Sequence, residues 1–249
     1  MAAIAGGRAA PRLREHDAFL AMTALIWLGV LAGFGTDIAT HLSRRYPLIV
    51  HAHALAMVSW LGLFTTQVVL VRTGRTSLHR RLGLIAPWLA GAMLVLGPAT
   101  AIYMDRLAFE TRGAPPDFLA VQLSDMLAFG TLTAAALLLR KTPAAHKRLM
   151  LLGTLYISDA GFARWLGDSL ESAVTGLVGH DGYWAFFASG YTANVALVLA
   201  FGAWDWIANR RLHPAYLVGA AWTFTLMLGA AGLYFNPAWH ALAMRLIGH

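Results

Sequence analysis

Apolar residues run along this chain in seven long blocks, near 18–40, 47–71, 82–104, 117–139, 147–166, 184–208 and 214–235. Each approaches the roughly 20 residues that a helix needs to cross about 30 Å of hydrocarbon. The breaks between them join turn formers to charge, as in Ser43-Arg44-Arg45-Tyr46-Pro47, Gly113-Ala114-Pro115-Pro116-Asp117 and Arg210-Arg211-Leu212-His213-Pro214. The pattern predicts an all-α fold, a polytopic membrane helix bundle of about seven transmembrane helices. It forms a single transmembrane domain over 1–249, with a short tail at 1–17. The fifth block differs from the others because it carries Asp159 and Arg164 and reads as amphipathic. It predicts a short helix surrounded by protein, which keeps those groups off lipid.

Composition agrees with the pattern. The chain is 58% hydrophobic and 12% charged, against roughly 45–50% and 25% in soluble domains. That excess is too large for one soluble core. The net charge of +7 comes from short basic runs between apolar blocks, which is loop charge and not a nucleic-acid patch. Cys is absent, so disulfides, Cys-ligated metals and thiol catalysis are excluded. Of the 19 Lys and Arg residues, 13 fall in the N-terminal tail and the second, fourth and sixth loops. The positive-inside rule then puts the N-terminus in the cytoplasm and the C-terminus outside, in a bacterial inner (plasma) membrane.

Candidate chemistry falls into two layers. Toward the outer side, His51 and His53 open the second block, Asp125 lies in the fourth, and Asp159 and Arg164 lie in the fifth. Asp37 and His41 form an i, i+4 pair at the outer end of the first. Residues two apart on a helix point about 200° apart, so only one of His51 and His53 faces the bundle. Ionisable groups at this depth are costly and normally paired. One reading makes His51, His53, Asp125 and Asp159 a transition-metal site, with Arg164, Asp37 and His41 as ion pairs or relay groups. Another has the carboxylates bonded to Arg164 or a His, pinning helices together. A third is a pocket furnished by Gln67, Gln122, Ser124, Tyr191 and Asn194. Toward the cytoplasm, His79, His146 and His213 each stand at a helix start beside Arg or Lys, where helix capping also explains them. His79-Arg80-Arg81-Leu82 echoes His146-Lys147-Arg148-Leu149, placing the first two at equal depth. Asp205 is expected to pair with Arg210 or Arg211.

The stretch from His51-Ala52-His53 through Gln67, Arg72 and Leu78-His79-Arg80-Arg81-Leu82-Gly83, with His146-Lys147-Arg148-Leu149-Met150, resembles a group of uncharacterised bacterial multi-pass membrane proteins. The resemblance covers roughly residues 47–165. It extends distantly to transmembrane b-type cytochromes, and implies haem b held by two His residues. The matching positions are His79, His146, and His51 or His53. In the outer layer the partner would have to be His41, His180 or His240, a departure from the cytochrome pattern of two helices per ligand pair. The chain has no Gly-rich phosphate loop, no His-Glu-x-x-His and no Gly-x-Ser-x-Gly. No His-x-x-x-His occurs in the last block, against a membrane zinc hydrolase, and no Lys follows Lys147, against a retinal protein. The expected function is therefore haem or metal binding tied to electron transfer or to a redox or respiratory membrane complex. The alternatives are a proton-coupled transporter using Asp125, Asp159 and Arg164, or a non-catalytic accessory subunit.

Overall fold

A computed structural model describes residues 15–40, 45–179 and 182–249. Ten α-helices follow in order: α1 (Glu15–Thr40), α2 (Leu48–Arg72), α3 (Thr76–Leu82), α4 (Ala86–Arg112), α5 (Leu119–Leu138), α6 (Pro143–Tyr156), α7 (Asp159–Val178), α8 (Tyr183–Asn209), α9 (Pro214–Tyr234) and α10 (Pro237–Leu246). Among the described residues six segments are long and apolar enough to cross a membrane: α1, α2, Thr76–Arg112, Pro116–Leu138, α8 and α9. In the third, α3 passes into α4 through one 3₁₀ turn at Gly83–Ile85. Leu28, Val58, Trp88, Val95 and Leu199 stay exposed. Such a skirt of large apolar side chains suits hydrocarbon and would be a liability in water.

The fifth predicted span, 147–166, is not one helix. It is divided at Ile157 and Ser158 into α6 and α7. The chain breaks where Ser158-Asp159 offers side-chain oxygens to the backbone, which competes with helix continuation. Ser158 Oγ donates to Leu155 O at 2.6 Å, and Asp159 Oδ1 accepts from Ala160 N at 2.6 Å. The last α6 carbonyls, left without helical donors, are met from α8. Asn194 Nδ2 donates to Leu155 O at 2.8 Å and to Tyr156 O at 3.2 Å.

α6 is the post around which the bundle is built. Leu151, Leu152, Thr154, Leu155 and Tyr156 are all buried, in contact with α5, α9 and α8. Trp60 of α2 reaches it through Nε1, which donates to Thr154 Oγ1 at 3.1 Å, while its ring meets Phe129 edge-on at 4.8 Å.

α1 and α7 come closest where small residues face each other. A Cβ on Gly33 would lie 2.0 Å from Gly161 O, and a Cβ on Gly161 would lie 2.8 Å from Gly29 O. Backbone cannot yield as a side chain can. Gly33→Ala is therefore expected to force the two helices apart and cost about 1–3 kcal/mol, read as a lowered thermal midpoint of the detergent-solubilised protein.

One end of the bundle is basic. Arg148, opening α6, forms a buried ion pair with Asp205, near the end of α8. Arg148 Nε donates to Asp205 Oδ2 at 3.1 Å, Asn209 Nδ2 donates to Oδ1 at 2.8 Å, and Arg148 Nη1 donates to Ala144 O at 2.8 Å. Glu15 of α1 pairs with Lys147 beside them. The expectation that Asp205 pairs with Arg210 or Arg211 is corrected: its cation comes from α6, 57 positions away. Those neighbours sit at the α8–α9 turn, where Arg210 takes φ 56°, and a side chain there points away from its own helix.

Candidate functional site

His79 and His146 do come together. Each is the fourth residue of its helix, α3 or α6, so the sequence echo becomes a shared register. Their rings stand 6.4 Å apart between centres, with planes at 80°. Both line a cavity of about 920 Å³ at the basic end, within the usual span of ligand sites, about 300–1,000 Å³. Its walls include apolar Phe19, Trp60, Phe64, Leu137 and Met150, and its polar lining includes Arg80, Arg140, Lys141 and Lys147.

The ring nitrogens divide by role. His146 Nδ1 lies 2.8 Å from Ala136 O. A carbonyl only accepts, so Nδ1 carries the hydrogen and Nε2 keeps a bare lone pair. The Gln67 amide, one side chain away on α2, packs against Nδ1 and the backbone carbonyl of His79 and against Gly83 N. An amide can donate to a bare Nδ1 or accept from Nδ1–H. Only in the second case does the neutral ring keep a bare Nε2 for a ligand, because an amide that donates to Nδ1 leaves the ring hydrogen on Nε2. His213, the third His of this layer, does something else: it caps α9, with Nδ1 accepting from Ala215 N at 3.1 Å. Burial, then the charge of Arg148, lowers its pKa, and the neutral ring is the form that can accept this bond.

The outer layer is arranged differently from the proposed metal site. His51 is exposed and His53 is half-buried, the split that helical periodicity predicts. His53 Nδ1 is buried without a hydrogen-bond partner. Asp125 and Asp159 do meet, carboxyl to carboxyl, but the two His residues do not join them. Among the described residues no three His, Asp or Glu side chains gather as a metal site would require. Arg164 forms no ion pair with either carboxyl among the described residues. Its Nη1 donates to Ala160 O at 2.8 Å and its guanidinium lies over the Phe34 ring at 4.5 Å. His41 and His180 lie outside the described residues, as does the side chain of Asp37. His240 is held at the surface by Asp117, 2.7 Å from Nδ1 to Oδ1.

Sequence reasoning missed two members of the outer cluster's surroundings. Tyr156 Oη sits 2.9 Å from Ser124 Oγ, and Trp60, which lines the basic-end cavity, donates to Thr154, two residues before Tyr156. Trp60 was findable, since His53, Trp60 and Gln67 recur every seven residues on one face of α2.

No family model matches the chain, nor does any curated protein or solved structure.

Proposed function

We propose that this chain is a bacterial inner-membrane haem protein of b type, with His79 and His146 as the residues that would hold the haem. The observation that carries this reading is the pair of imidazoles side by side on the wall of one cavity, with His146 Nδ1–H donating to Ala136 O. The ring centres are 6.4 Å apart, so one group lying between them would be within reach of both imidazoles. Ala136 O accepts from His146 Nδ1–H as the partner of a metal-bound His does, and the Gln67 amide would do the same for His79 with its oxygen turned to Nδ1–H. The apolar wall suits a porphyrin face, and Arg80, Arg140, Lys141 and Lys147 suit its carboxylates. Bound there, haem supplies one-electron chemistry. The protein's part is to hold both rings, exclude water with Trp60, Phe64 and Met150, and present a cationic rim to an anionic group.

In this reading the basic end is cytoplasmic, as is the N-terminus. α6 and α7 together provide the seventh crossing, because α5 ends and α8 begins at opposite ends of the bundle. With one His pair near one face, the chain exchanges electrons on the cytoplasmic side with a redox complex or carrier.

The test is an absorption spectrum of the detergent-purified full chain, with haem extracted and counted. One haem per chain, with the Soret band of six-coordinate b haem, is expected; absence of any Soret band after expression with haem supply overturns the proposal. Gln67→Leu keeps both ligands but removes the support of His79. It is expected to weaken haem retention about 10- to 100-fold while leaving the bis-His spectrum of the bound fraction unchanged.

A further inference from the structure

The outer half of the bundle holds a buried polar centre that the His pair does not use. Asp125 on α5 and Asp159 at the start of α7 are both buried and in side-chain contact. Among the described residues no Lys or Arg forms an ion pair with either. Two carboxylates offer each other only acceptors. Their contact is attractive only with a hydrogen between them.

The surroundings are hydroxyls, not cations. Tyr156 from α6 and Ser124 from α5 share a hydrogen bond of 2.9 Å. Tyr191 from α8 is fully buried, and its Oη has no hydrogen-bond partner. Asp125 Oδ1 and Asn194 Oδ1, the latter one turn along α8 from Tyr191, are also buried and unpartnered. A cluster that merely pinned helices would close its bonds, because an unmet buried polar atom costs about 1–3 kcal/mol. The charged and titratable groups facing the pair are Tyr156, Tyr191 and Arg164.

We propose that Asp125 and Asp159 form a proton-exchange site within the membrane. One proton is shared between the two carboxyls and passes to and from water by way of the Tyr156, Ser124 and Tyr191 hydroxyls. Only O–H bonds form and break, and the proton's source and sink is the aqueous phase. When it leaves, two like charges remain in contact, and α7 must part from α5 or take the proton back. The site would make the chain proton-responsive whether or not haem is bound, so it stands apart from the His79–His146 reading.

Infrared spectroscopy of the full-length protein in lipid vesicles tests this, with and without haem. A C=O stretching band from a protonated carboxyl is expected in the wild-type protein, shifting down in D2O as its hydrogen exchanges and fading as pH rises. Asp125→Asn and Asp159→Asn should each lose the band, because the new amide N–H replaces the shared hydrogen. Tyr191→Phe, which removes only one hydroxyl, should retain the band but slow its exchange. No protonated-carboxyl band in the wild type, a band surviving in both Asn variants, or a band that never exchanges in D2O each overturns the proposal. If an Asn variant fails to fold, the wild-type titration and the Tyr191→Phe exchange rate still decide it.

Discussion

His146→Ala protein, expressed with haem supply and purified intact, is expected to lose its b-type spectrum entirely. Of the two proposed ligands, His146 is the one whose ligating lone pair is fixed by the fold. Its Nδ1 hydrogen is committed to Ala136 O at 2.8 Å, so Nε2 has no alternative role. Removing it leaves His79 alone, on a seven-residue helix with no buried residue. A single imidazole on so lightly packed an element gives up most of the affinity that two ligands provide, and haem retention should fall well beyond the 10- to 100-fold expected for an orienting partner. His213→Ala is the control: it is in the same layer but caps α9, so its spectrum should stay intact. Equal loss in both variants would mean that the basic end had collapsed rather than lost a ligand. A His146→Ala protein with full haem content and an unchanged spectrum would remove His146 from the site.

The second large effect is on stability. Asp205→Ala leaves the buried Arg148 guanidinium with only one anion, Glu15, 3.8 Å away, and removes the acceptor of Asn209 Nδ2. Breaking one side of a buried pair costs about 3–5 kcal/mol, and here the lost carboxylate also holds the α8–α9 turn, accepting from His213 N at 3.4 Å. The detergent-solubilised protein should unfold at a markedly lower temperature. Replacing both members, Arg148→Met with Asp205→Leu, should restore most of the loss, because two apolar groups need no partner. If the single and double variants melt alike, the pair is not what the end of the bundle depends on.

The long apolar blocks were legible because burial in hydrocarbon asks for little beyond length and hydropathy, and five of them appear within a few residues of their expected bounds, while the third, expected at 82–104, extends over Thr76–Arg112. The fifth was misread at its centre. Nothing within 147–166 announces that an amide on α8 will satisfy the carbonyls of Leu155 and Tyr156, and without that donor a break at such depth would be prohibitive. His79 and His146 were legible through the repeated helix-start register. The outer metal site was not, because sequence gives the depth of a residue but not its azimuth: Asp125 and Asp159 turn toward each other, while His51 turns out. Asp205 was misassigned for the related reason that neighbours in sequence are easy to see and a partner 57 positions away is not.

The hold of Asn194 on the break also bears on how the chain is made. Residues 143–178 leave the ribosome before residue 194 exists, so during that interval Tyr156 O lacks its α8 donor and Leu155 O has only Ser158. The insertion machinery must retain this segment, unreleased to lipid, until α8 arrives, and a chain truncated before Tyr183 should fail membrane integration there.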